Sequence, residues 1–93
     1  MNTKGPAQIE MESLLAAAFP GAVVRLSNDS AAHHGHSGDD GSGESHFSLD
    51  IAWDGFAAMN RVARQRAVNA ALVGIAGERV HALAIRARAP GEA

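Results

Sequence analysis

This chain of 93 residues contains no cysteine, which excludes disulfides, Cys-based zinc sites, thiolate nucleophiles and self-sufficient Cys-ligated clusters. Any soft-metal site must therefore be built from histidine. Tyrosine is also absent, and one Trp and three Phe bring the aromatic share to only 4%. Those few rings follow core positions, so they offer little of the stacking platform that single-stranded nucleic acid needs. No run approaches the roughly 20 apolar residues needed to cross a bilayer. The opening MNTKGPAQIE has no apolar segment of signal-peptide length. These two absences lead us to expect a soluble, cytoplasmic protein. A large charge of one sign is missing as well: the formal net charge is −2, whereas proteins that chiefly neutralise phosphates carry a clear excess of Lys and Arg.

What is present is globular, with 46% hydrophobic and 19% charged residues, enough for one domain with a modest core. We read residues 1–6 as a disordered leader, 7–90 as the single domain and 91–93 as a tail. From Ala7 to Phe19, the residues Met11, Leu14, Leu15 and Ala18 share one helical face, and Pro20-Gly21 stops the helix. Val23, Val24 and Leu26 indicate a short strand that ends at Asn28-Asp29-Ser30. Residues 30–45 are Gly, Ser, Asp and His with little to bury, and are expected to form a mobile loop.

Phe47, Leu49, Ile51 and Trp53 then alternate with His46, Ser48, Asp50 and Ala52, the period of a strand with one buried face. A helix is expected from about Ala58 to Ile75, with Val68, Ala71, Leu72 and Ile75 as its apolar stripe and Gly77 as its stop. Val80 to Arg88 read as a last strand, and Pro90-Gly91 close the domain. The order α-β-β-α-β predicts an α/β (α+β) fold. Its small three-stranded mixed sheet should have the first two strands antiparallel and the last two parallel around the crossover helix.

That topology has a chemical consequence. All five histidines, His33, His34, His36, His46 and His81, lie in the loop or at the strand ends beside it, and parallel pairing brings the start of the last strand to where the loop returns. Neutral imidazole is a good ligand for Fe, Zn, Cu and Ni. In strand alternation His81 falls with Leu83 and Ile85, toward the rim of the core, and His46 falls with Ser48 and Asp50. Taken by itself, a histidine at a strand end also suits a rim position, and HHGH also suits polar filler. Spacing alone does not select the metal.

Longer stretches add a resemblance. Ser30, His33, Gly35 and His36, followed by Gly43-Glu44-Ser45-His46-Phe47, resemble the BolA family's serine, loop histidine and Gly-Glu-Ser/Thr-His-Phe run. RVARQRAVNAAL is similar to the family's Arg-His-Arg helix, VHALAI to its last strand, and Phe19-Pro20 to the end of its first helix. The likeness runs from about Ile9 to Pro90. It implies a type II KH-like fold with helices on one face of the sheet, no enzymatic activity, and partnership with a monothiol glutaredoxin in iron-sulfur trafficking or iron and redox regulation.

In such complexes a [2Fe-2S] cluster is shared with the cysteine of the glutaredoxin and with glutathione. The BolA histidine ligands would be His81 and His33, with His34 and His36 as alternatives to His33. The isolated protein would be a monomer holding no stable cluster, since imidazoles alone do not retain one. Two departures stand out: Arg64-Gln65-Arg66 lacks the family's central histidine, and Phe56-Ala57-Ala58 lacks the glycine that usually follows the phenylalanine. The alternative function is a nucleic-acid-binding transcriptional regulator that uses Arg61, Arg64 and Arg66 on the helix to contact DNA. The Gly-x-x-Gly clamp of KH domains lies between two helices, whereas Gly74 to Gly77 here precede a strand.

Overall fold

The computed structural model describes residues 5–29, 46–76 and 79–92; the HHGH run, and with it His33, His34 and His36, lies outside these. The elements are α1 (Pro6–Ala18), β1 (Val23–Asn28), β2 (His46–Ala52), a 3₁₀ turn (Asp54–Ala58), α2 (Arg61–Ala71) and β3 (Ala82–Arg88). The expected α+β order and mixed sheet are present.

Helix α1 begins on Pro6, whose ring presets φ and whose missing N–H would have had no helical partner in the first turn. It is thus one residue longer at this end than the sequence indicated. The stripe it buries is Ala7, Met11 and Leu15, with Leu14 half-buried and Ala18 exposed. The i, i+4, i+8 row, not the expected edge through Ala18, is what faces the sheet. Phe19 then tucks into the core, its N–H bonded to the carbonyl of Leu15 at 2.9 Å. Gly21, with φ of 84°, makes the left-handed turn into β1.

β2 is central. β1 runs antiparallel to it, with Val23 opposite Ala52 and Asn28 opposite Phe47, and β3 runs parallel, with His46 opposite Ala82 and Ala52 opposite Arg88. Phe47, Leu49 and Ile51 of β2 are buried against the helices, and Ser48 and Asp50 between them face the other side. Met11, Leu15, Ile51, Phe56, Val68, Leu72, Ile75 and Val80 complete a core of fully buried side chains. Each contributes on the order of 1.5–3 kcal/mol relative to exposure.

The second helix departs from expectation at both ends. Residues 54–58 form a 3₁₀ turn, closed by the Phe56 N–H to Trp53 carbonyl bond at 3.0 Å, and α2 starts only at Arg61. Asn60 caps it, its Oδ1 accepting the N–H of Ala63 at 2.8 Å. An N-cap must have non-helical backbone, so Asn60 moves the start of the helix from the expected Ala58 to Arg61. At the far end α2 stops at Ala71, and Gly74 adopts a φ of 92°. Gly74 therefore marks the stop assigned to Gly77, which lies outside the described residues. The stripe of Val68, Leu72 and Ile75 is buried as expected, with Ala71 half-buried.

Phe19, Trp53 and Phe56 meet edge to face or tilted, with centroids 5.1–5.3 Å apart. The Trp53 indole donates to the carbonyl of Pro20 at 3.0 Å. Its ring lies so close over Gly55 that an added Cβ would come within 2.3 Å of it. This aromatic clasp closes the end of β2 opposite His46.

Candidate functional site

The end of the sheet where β2 begins is assembled from three short stretches. Asp29, just beyond β1, donates its N–H to the carbonyl of His46 at 2.8 Å. Its carboxylate accepts the hydroxyls of Ser27, at 3.1 Å, and of Ser48. These bonds hold together the two points at which residues 30–45 leave and rejoin the sheet. The parallel register places Ala82 beside His46, so His81 stands one residue before that pair. The topological expectation for His81 and His46 holds at the level of the backbone.

His81 is held from below. Ile75 accepts the N–H groups of Arg79 at 2.9 Å and Val80 at 3.0 Å, Ala76 and Val80 form an isolated bridge, and Val80 is 1% exposed. The residue before the histidine is therefore locked into the core, while His81 itself is exposed and His46 is half-buried. The rim position expected for His81 is thus more open to solvent than the strand alternation suggested. An imidazole presented to solvent on a fixed backbone suits metal ligation, because less backbone freedom is lost on binding.

Among the described residues no three His, Cys, Asp or Glu side chains gather into a metal site. The donor chemistry available, imidazole without thiolate, fits a partial ligand set for a [2Fe-2S] centre. It does not fit a complete one.

The arginines of α2 separate into two kinds. Arg61 and Arg66 are exposed. Arg64 is not: only 14% of its side chain is accessible. Its Nε donates to the carbonyls of Phe56 and Met59, both at 3.0 Å, and its Nη1 to the carbonyl of Ala87 at 3.4 Å. The guanidinium forks onto Glu92 at 2.6 and 3.0 Å. This fork, together with the Ala89 N–H, pulls the Glu92 carboxyl down to about 2. The side chain suggested as a phosphate contact is spent fastening the 3₁₀ turn, β3 and the C-terminal turn together. Glu92 lies 28 positions away, and no local pattern in the sequence links the two.

The sequence profile of the BolA-like protein family matches residues 15–92. The chain is 43% identical over 83 residues to an uncharacterized protein in the cobS 5' region of a Sinorhizobium species, covering 88% of this chain and 89% of that one. It is 36% identical over 88 residues to human BolA-like protein 1, covering 95% of this chain but 61% of the human protein. Among solved structures, BolA1 from Arabidopsis thaliana superposes with a TM-score of 0.80 at 28% identity, covering 97% of this chain and 99% of that one. BolA1 from Mus musculus superposes with a TM-score of 0.78 at 33% identity, covering 97% of this chain and 70% of that one. Sequence and architecture agree over nearly the whole length: the chain belongs to the BolA-like protein family.

Proposed function

We propose that this BolA-like protein is a non-enzymatic cytoplasmic partner of a monothiol glutaredoxin. It would lend histidine to a [2Fe-2S] cluster that the two proteins share with glutathione, in iron-sulfur trafficking or iron and redox regulation. The observation that carries this reading is the exposed His81 on a backbone fixed by buried Val80, at the sheet end to which residues 30–45 return. His81 would be one ligand and His33 the second, with His34 or His36 able to replace His33. The cluster supplies the electron-transfer and sulfide chemistry. The chain supplies imidazole at a defined place and, having no cysteine, leaves the thiolates to its partner. Isolated, the protein is a monomer without a stable cluster; with its partner it is a heterodimer.

Mixing the protein with a cluster-loaded, glutathione-bound monothiol glutaredoxin should give a heterodimer whose visible spectrum differs from that of the glutaredoxin homodimer. His81→Ala should remove the difference. A spectrum indifferent to His81→Ala would remove that residue from the ligand set. Single substitutions at His33, His34 and His36 identify the second ligand by the same readout.

A further inference from the structure

The hydrogen-bond ladder fixes which backbone groups the sheet leaves open. Arg88 accepts the Trp53 N–H at 3.0 Å, and in the parallel register Arg88 stands beside Ala52. Arg88, and by alternation Arg86, Ala84 and Ala82, therefore turn their backbone groups toward β2. Leu83, Ile85 and Ala87 turn theirs outward. On the other edge the same alternation, anchored by the Asp29 N–H to His46 bond, turns Val24, Leu26 and Asn28 outward. Two side chains confirm the pattern. Gln8 donates to the carbonyl of Leu26 at 3.1 Å on the β1 edge, and Arg64 to that of Ala87 at 3.4 Å on the β3 edge.

The two edges are not equivalent. α1 attends the β1 edge through Gln8. On β3, Arg64 closes only the C-terminal end, and the outward N–H and C=O of Leu83 and Ile85 have no hydrogen-bond partner among the described residues. The open stretch begins two residues after His81. Beside it Arg86 is exposed and unpaired among the described residues, whereas Arg88 is engaged by Asp50 at 3.1 Å.

We infer that the free β3 edge is the strand-addition surface for the thiolate-bearing partner. An extended segment of that partner pairs with Leu83 and Ile85 and sets an acidic side chain against Arg86. The inference rests on the proposed partnership and gives it a docking surface. Four outward backbone groups would be paired at once, and backbone pairing supplies affinity in this mode of recognition. The added strand runs to the level of His81, so docking and ligation become one event. A second copy of this chain is the less suitable occupant, because it would bring another Arg86-bearing strand of the same charge to this edge; charged side chains on an edge strand oppose such pairing.

Amide hydrogen exchange, with and without glutathione-bound monothiol glutaredoxin lacking cluster, tests this. In the isolated protein the Leu83 and Ile85 amides should exchange fast beside the ladder-bonded Ala84 and Arg86 amides. On complex formation they should slow by about tenfold or more. Arg86→Glu reverses the exposed charge beside the open stretch without altering any backbone group and should weaken the complex about three- to tenfold. Affinity unchanged by that reversal overturns the acidic contact.

A complex with the altered cluster spectrum but no protection at Leu83 and Ile85 overturns the docking surface and leaves the shared cluster standing. Protection with an unaltered spectrum keeps the surface and removes the ligand assignment. Absence of any complex overturns both. Concentration-dependent protection in the isolated protein would hand the edge to a second copy and overturn the inference.

Discussion

His81 and Glu92 sit at opposite ends of β3 and do opposite work. The first is exposed on a fixed base; the second is captured by Arg64 and the Ala89 N–H. Glu92 titrates near 2 instead of its ordinary 4.5. Its folded value is depressed, so the stability it gives is present above the ordinary value and is lost as pH falls toward the folded one. Thermal unfolding between pH 4.5 and about 2 should therefore lose part of its pH dependence in Glu92→Gln, and an unchanged slope would dissociate the fork from stability. In the core, Phe56 is 0% exposed and packs on Phe19 and Trp53. Phe56→Ala should cost about 3–5 kcal/mol in denaturant unfolding. Neither Arg64 nor Glu92 was legible as a pair, because each looks like a solvated surface charge until the chain closes.

At the scale of elements, the Asn60 cap sets where α2 begins. Asn60→Ala should destabilise the protein by about 1 kcal/mol, read from the shift in urea midpoint at constant slope. Strand β2 was readable in full because a period of two over His46 to Ala52 admits one assignment. The start of the second helix was not, since Ala58 and Met59 suit a 3₁₀ turn as well as an α-helix. Apolar content across 54–60 does not distinguish them, and only the capping geometry of Asn60 does. For α1, Leu14 and Ala18 suited the apolar face as well as Ala7 did. Packing against the sheet, which sequence periodicity does not contain, selected Ala7, Met11 and Leu15.

For the whole molecule, the parallel pairing of β2 and β3 was the inference that mattered most. It followed from a helix lying between the two strands, and it brings His81 to the level of His46. His33, His34 and His36 lie outside the described residues, so their part in the site stands as a proposal. The arginines of α2 were read as one group. Folding divides them, leaving Arg61 and Arg66 exposed and Arg64 enclosed. With a formal charge of −2, the protein without cluster should bind DNA weakly, with a salt dependence that Arg61→Ala/Arg66→Ala reduces. Tight binding untouched by that double substitution would point to a different basic surface.

The most direct measurement is pulsed electron paramagnetic resonance on the reduced mixed cluster, made with ¹⁵N-histidine in this chain alone. A strong imidazole ¹⁵N coupling should appear in the heterodimer, and His81→Ala should remove the His81 contribution while His46→Ala leaves the spectrum intact. A full coupling pattern that survives His81→Ala, or the absence of any ¹⁵N coupling from this chain, would contradict the account.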